Sequence, residues 1–346
     1  MNGKSKNKIS VILPVRNEAK IIENCIESLL KQKLNNIEIE ILAIDGSSND
    51  GTDKIVKELE NRDNRIKYLF NEKIKTPFAF NKGINKSSGN YIAILGAHCE
   101  YEKNYLQTCF DELNKNDAIG CSGLINTKSL DNSFESFLSL CILKSTFGVS
   151  SNSFRTIKAG YAHSIPYGVF NKKIIEKIGG YNEQLHRNQD NDLNQRLIAA
   201  GHKLFITDKT FGNYTIDYDL KSLYLYAFNN GVWNGKTLFI NSDAMKLYHF
   251  VPAFFVLYVA SLITLNIIGR FFISMELIFL CHLPIMIYFV IGLYETFKAF
   301  KQKSIIYISA LPFIFFKFHS YYGLGTLKEI VKNLYLKLSL SKINIL

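Results

Sequence analysis

The first half of the chain alternates short, nearly uncharged apolar runs with longer segments of mixed polarity. Apolar runs at 9–15, 37–44, 66–70, 91–95 and 119–124 are strand candidates, and 91–95 reads as a strand covered on both faces. Between them, 17–33, 51–62, 77–87 and 103–115 repeat apolar residues at helical spacing. Strand, helix, strand at these intervals predicts right-handed parallel crossovers, and so a mostly parallel, Rossmann-like α/β sheet. A further helix should begin near Asn188–Asp190 and stop at Gly201, a residue suited to the left-handed position after a helix end. Residues 145–165 show no periodicity and read as a mobile loop.

After Phe250 the pattern changes to long apolar blocks. Stretches 250–268 and 271–297 are each long enough for a hydrocarbon layer of about 30 Å. A third block, about 304–325, contains Pro312, Lys317 and His319, and a lysine at that depth costs roughly 2.5–3.5 kcal/mol. Lys298, Lys301 and Lys303 follow the second block, whereas only Arg270 separates the first two. The positive-inside rule then places the basic amino-terminal half and the 298–303 loop on the cytoplasmic side of the cell membrane. The expected arrangement is two spans with a third segment that is re-entrant or interfacial; three spans with an external basic tail is the alternative. Residues 219–247 mix aromatics, lysines and the only tryptophan, which suits either interfacial helices or a helix packed on a folded domain. The division is therefore 1–218, 219–247 and 248–346.

Composition narrows this picture only modestly. The 346 residues and 47% hydrophobic content are those of a globular chain, and the net charge of +11 suits anionic partners, including lipid. Basic residues are dispersed rather than clustered with aromatics, which argues against nucleic acid. Six cysteines occur without a C-x-x-C pair, which disfavours a zinc ribbon or thioredoxin-type site and suits reduced intracellular protein. The basic start has too short an apolar run, broken by Pro14 and Arg16, for a secretory signal.

The polar residues that follow the apolar runs carry the chemistry. Strand 9–15 leads to Asn17 and Glu18, and strand 37–44 leads to Asp45 in "AIDGSSNDGT". A carboxylate at a strand end accepts hydrogen bonds from a ribose or a base, while Ser48, Asn49 and Asp50 equally suit a helix-capping turn. No G-x-G-x-x-G follows the first strand, which disfavours a dinucleotide site.

Four stretches, "SVILPVRNE", "AIDGSSNDGT", "NKGINKSSGNYIAILGAH" and "RNQDNDLNQRLIAAG", taken in this order and spacing, resemble the family 2 glycosyltransferases of GT-A fold. The last of them, with "HCEY" and "YGLGTL", is similar to the membrane-associated succinoglycan or exopolysaccharide branch. The resemblance covers about 1–240. It implies that Pro14, Glu18 and Asp45 line a nucleotide-sugar pocket, with Lys82 near the diphosphate. It also implies that Gly96, Ala97 and His98 stand at the D-x-D position for ribose and metal, and that Asp190 is the general base. Arg187, Gln189, Asp192 and Trp233 follow as neighbouring or acceptor-side residues. The Q-x-x-R-W of processive relatives is absent near 226–233, which implies one transfer per encounter. The implied partners are a nucleotide-diphosphate donor, a UDP-sugar first, and a polyprenyl-linked or saccharide acceptor. The 145–165 loop would close over the donor.

The departure from the family pattern is Gly96, which has no side chain to ligate through. His98 can bind a metal when neutral, and an imidazole ligand favours Mn²⁺ over Mg²⁺. On an extended backbone Glu100 would share a face with positions 96 and 98 and supply the missing charge. For Asp190, a helix N-terminus is expected to stabilise the charged form by up to about 1 kcal/mol, and a plain helix cap is the competing role. A non-catalytic member that binds nucleotide sugar or a partner is the alternative that Gly96 raises.

Overall fold

The computed structural model describes residues 7–269, 273–299 and 310–343. Two compact units result: residues up to 128 with 157–216, and 129–156 with 217–346. Residues 129–156 thus group with the carboxyl-terminal helices rather than with the α/β portion.

The first unit is built on a nine-stranded mixed sheet. In chain order its elements begin β1 (Asn7–Val15), α1 (Ile22–Leu30), β2 (Ile37–Asp45), α2 (Thr52–Arg62), β3 (Ile66–Phe70), α3 (Thr76–Lys86) and β4 (Tyr91–Ile94). β3, β2, β1 and β4 lie side by side and pair in parallel. β1 is central, and Ile9, Val11, Ile12 and Leu13 are wholly buried, as a strand covered on both faces requires. α1 buries Ile22, Cys25, Ile26 and Leu29, a single stripe at i, i+3, i+4 and i+7.

Beyond β4 the sheet turns antiparallel. The later elements are β5 (Cys99–Tyr101), α4 (Tyr105–Lys115), β6 (Gly120–Ser129), α5 (Phe134–Lys144), β7 (Gly160–Ala162), β8 (Val169–Asn171), α6 (Lys172–Lys177), α7 (Gln189–Ala199) and β9 (Leu204–Ile216). β8 pairs antiparallel with β4 and β6, and β5 and β7 both pair antiparallel with β9. The expectation of a mostly parallel sheet holds for the first four strands only. Three-residue strands such as β5, β7 and β8 are too short to show alternation in a sequence. β7 lies within 145–165, so that stretch is not irregular throughout.

The register carries three strand ends to one edge. Val15 pairs with Asp45, the Gly46 N–H donates to the Val15 carbonyl at 2.9 Å, and the Leu95 N–H donates to the Ile12 carbonyl at 3.1 Å. The segment before β8 is drawn to the same edge, because the Ile94 N–H donates to the Gly168 carbonyl at 2.9 Å.

In the second unit α5 is joined by α8 (Leu220–Ile240), α9 (Val251–Ile268), α10 (Met275–Ala299) and α11 (Leu311–Ile343). α8 packs on α11 with almost no space between them. A Cβ on Gly231 would meet the Tyr322 carbonyl oxygen at 2.0 Å, and one on Gly325 would meet that of Phe228 at 2.2 Å. The partner of α8 is thus α11, within the second unit. Two helices, Leu247–Ile268 and Met275–Lys298, are long and apolar enough to cross a membrane, with a mean hydropathy of 2.2 each. Among the described residues α11 does not qualify, and Lys317, Lys328 and Lys332 interrupt it. Arg270, Lys301 and Lys303, on which the orientation was argued, lie outside the described residues.

Candidate functional site

The polar edge of the sheet opens into a cleft of 290 Å³ whose lining includes Pro14, Arg16, Glu18, Gly46, Lys75, Gly96, Ala97, His98, Tyr167, His186, Gln189 and Asp190. Seven residues expected from the sequence meet there: Pro14, Glu18, Gly96, Ala97, His98, Gln189 and Asp190.

Each is placed by a local device. After β1, Asn17 takes a left-handed φ of 57°, and its N–H donates to the Ser48 hydroxyl at 2.9 Å. The Glu18 N–H donates to the Thr52 hydroxyl at 2.7 Å. The "DGSSNDGT" turn therefore buttresses the Asn17–Glu18 corner. Its leading carboxylate, Asp45, is buried and accepts from the Ser48 hydroxyl at 2.5 Å, the Ser48 N–H at 3.2 Å and the Tyr68 hydroxyl at 3.1 Å. A carboxylate has about four acceptor sites, so a ligand finds little of Asp45 uncommitted. Asp45 is absent from the lining, although Ile44 and Gly46 on either side belong to it.

The backbone turns sharply at 96–99, where the Cys99 N–H donates to the Gly96 carbonyl at 3.3 Å. That turn directs His98 at Glu18, with Nε2 and Oε1 at 3.0 Å. It also breaks the extended run that would have put Glu100 on the same face. Glu100 instead lies on β5, paired with Asn213 and exposed, and is not a lining residue. Glu100 therefore does not share a face with positions 96 and 98, contrary to the expectation from strand alternation.

On the opposite wall, α7 begins from Asn188 at φ 60°, with Gln189 and Asp190 in its first turn. Asp192 is buried and fully engaged: the Arg196 guanidinium donates to it at 2.8 Å and also to the carbonyls of Ile178 and Gly180. That grip makes Asp192 a support for the helix start. Asp190 differs. It is exposed and lines the cleft, and desolvation by the surrounding protein lifts its carboxyl from 3.8 to about 6. Desolvation outweighs the stabilisation expected from the helix N-terminus.

Three other expected residues lie away from the lining. Lys82 donates to the Phe70 carbonyl and pairs with Glu72 at 3.1 Å. Arg187 is half-buried beside His186 but does not line the cleft. Trp233 belongs to α8 in the second unit, with the Lys236 ammonium 4.5 Å above its ring.

Sequence reasoning missed the cleft's cations. Arg16 follows the first strand directly, and Lys75 stands at the N-terminus of α3, where backbone N–H groups also favour an anion. Pro77 at the start of the helix was the available signal. Ile74 adopts a φ of 66°, a strained state for a β-branched residue. Its carbonyl crowds Gly46, where a Cβ would sit at 2.5 Å.

A divalent cation is testable on this donor set. Glu18 Oε1 and His98 Nε2 stand 3.0 Å apart, the separation of adjacent ligands in an octahedral shell with bonds of about 2.1 Å. Among the described residues no group of three or more His, Cys, Asp or Glu side chains could hold an ion. The pair fits an ion that takes two protein ligands and completes its shell with phosphate oxygens and water.

Known proteins resemble this chain in sequence and in fold. Residues 10–178 match the family described as Glycosyl transferase family 2. A dolichyl N-acetyl-alpha-D-glucosaminyl phosphate 3-beta-D-2,3-diacetamido-2,3-dideoxy-beta-D-glucuronosyltransferase of Methanococcus voltae is 28% identical over 336 residues, covering 94% of this chain and 98% of that protein. The succinoglycan biosynthesis protein ExoA of Rhizobium meliloti is 27% identical over 240 residues, covering 68% and 71% respectively. A mannosyltransferase of Pyrobaculum calidifontis, solved with GDP-Man and Mn²⁺, superposes with a TM-score of 0.60 at 13% identity, over 96% of this chain and 89% of that one.

Proposed function

We propose that this chain, similar to family 2 glycosyltransferases and of GT-A fold, moves one sugar per encounter, with inversion, from a nucleotide-diphosphate donor to a lipid-linked acceptor. A UDP-sugar is the first donor to test. The observation that carries the proposal is Asp190: a carboxyl lifted to about 6, in one cleft with two cations and a Glu18–His98 pair.

Inverting transfer needs a base to take the acceptor hydroxyl's proton as its oxygen attacks the anomeric carbon. A carboxylate with a pKa near the working pH is ionised yet basic enough for that task. As the carbon–oxygen bond to the diphosphate breaks, negative charge builds on the leaving group, and Arg16, Lys75 and the N-terminus of α3 are the positive groups of the cleft that meet it. Glu18 and His98 would hold a divalent cation, with Mn²⁺ favoured by the imidazole; when bound, it supplies Lewis-acid neutralisation of the same charge.

Lipid-linked acceptors are supported by the Methanococcus relative, whose name specifies a dolichyl sugar phosphate. The two apolar helices support membrane association, and the proposal places a multi-pass enzyme in the inner membrane with its catalytic unit on the cytoplasmic side, where nucleotide sugars are made. The test is a donor panel on detergent-solubilised protein with Mn²⁺, Mg²⁺ or EDTA, scoring nucleoside-diphosphate release. Cation-dependent release with one donor is expected. Full turnover in EDTA overturns the Glu18–His98 role. Nucleotide binding without turnover for any donor favours the non-catalytic alternative.

A further inference from the structure

We propose that the hydroxyl of Tyr167 is a donor-binding group that takes the place of a side chain at position 96 and contacts a sugar hydroxyl of the nucleotide sugar. The inference rests on the donor reading above.

Gly96 is a glycine for lack of room. A Cβ there would lie 2.6, 2.8 and 2.9 Å from Cε1, Cζ and Oη of Tyr167, closer than side-chain carbons approach one another. Neither partner can easily move aside. The Gly96 N–H donates to the Tyr101 hydroxyl at 2.8 Å, and that hydroxyl donates to the Gly96 carbonyl at 3.2 Å. The Tyr167 carbonyl accepts from the Tyr105 hydroxyl at 2.6 Å. The Tyr167 ring lies parallel to Tyr214, with centroids 6.2 Å apart and 13° between planes, and edge-on to Tyr101 at 6.4 Å. The volume that a residue-96 side chain would use is therefore held by a fixed ring, and that ring is part of the cleft wall with Glu18, His98 and Asp190.

The exchange changes the chemistry offered to a ligand. A carboxylate only accepts hydrogen bonds and carries a charge, whereas a phenol donates, accepts and stays neutral. Sugar hydroxyls do both, so a phenol suits one as donor or acceptor where a carboxylate could only accept. The missing carboxylate at 96 is thus a substitution of one hydrogen-bonding group by another.

The experiment compares Tyr167→Phe with the parent protein, full length in detergent, by calorimetry with UDP, GDP, UDP-N-acetylglucosamine and GDP-mannose. The variant keeps the ring and removes only the hydroxyl. For the nucleotide sugar that the parent binds most tightly, we expect a loss of about threefold to tenfold in affinity, a matching rise in KM and little change in kcat or in melting temperature. Equal loss for the free nucleoside diphosphate assigns the contact to the ribose; loss for the nucleotide sugar alone assigns it to the transferred sugar. In a second arm, Gly96→Asp alone should abolish binding, and Gly96→Asp combined with Tyr167→Ala should bind more tightly than Tyr167→Ala. Unchanged affinity in Tyr167→Phe, or a double variant no better than Tyr167→Ala, overturns this inference while the donor reading stands. If none of the four ligands binds the parent, the donor reading itself falls and this inference with it.

Discussion

Two carboxylates, Glu40 within the sheet and Asp190 on the helix that walls the cleft, show how surroundings set the properties of one chemical group. Glu40, toward the amino ends of the strands, is buried. Burial alone would raise its pKa, but the Ser10 hydroxyl, the Ser88 N–H and hydroxyl, and the Lys67 ammonium lower it to about 2. Asp190, at the carboxyl edge, meets desolvation without such compensation and is raised to about 6. A carboxylate saturated with donors holds β1, β2 and the approach to β4 together and cannot take a proton at neutral pH. One that lines a cleft with its pKa raised toward neutrality is ready to accept one.

This contrast can be broken or sharpened by experiment. The largest effect is expected for Asp190→Asn, which should lower kcat by about 10² to 10⁴-fold while nucleotide affinity stays within error; measuring product release and binding on the same preparation checks both halves. Glu40→Ala should do the opposite. It leaves Lys8, Lys67, Ser10 and Ser88 around an empty acceptor position and should cost about 3 kcal/mol in denaturant unfolding of the first unit, with kcat per folded molecule unchanged.

The pH profile separates the two groups without mutation. The Asp190 carboxyl is protonated below about pH 6, so kcat/KM should fall about tenfold per pH unit below that value. Glu40 has a depressed pKa, so its contribution to stability is present above its unfolded value of 4.5 and is lost only as pH falls toward about 2. Activity should thus disappear in acid well before the contribution of Glu40 to the fold does. The smallest effect is expected for Asp45→Asn, which keeps the turn's shape but weakens its bonds to Ser48 and Tyr68, at about 1 kcal/mol of stability and with little change in kcat. A loss of turnover as large as that of Asp190→Asn would make Asp45 a chemical group and undo the comparison.

How much was legible follows the same physical line. Long-range parallel strands announce themselves, because each is a run of β-branched residues set off by amphipathic helices. The first four strands, their helices and the residues at their ends were accordingly readable, and Pro14, Glu18, His98 and Asp190 do share a cleft. The antiparallel half was not, because β5, β7 and β8 have three residues each and owe their existence to neighbours far away in sequence. Tyr167 could not be nominated for the same reason: it reaches Gly96 only because β8 pairs with β4. Glu100 failed as a candidate through a local event, the 96–99 turn, which shifts the alternation that spacing had assumed.

The amino-acid sequence by itself carried the resemblance to the family, the alternation of strands and helices in the first half, two helices apolar enough to cross a membrane, and most of the residues that meet in the cleft. Those properties reside in local runs and spacings that survive without knowledge of contacts. Only the tertiary structure decided that Asp190 is raised rather than lowered in pKa, that Glu18 faces His98, and that Gly96 marks a place occupied by another residue's ring. Each of these depends on which atoms surround a group in space. Desolvation, pair geometry and excluded volume are properties of the packed neighbourhood, and no spacing along the chain encodes them alone.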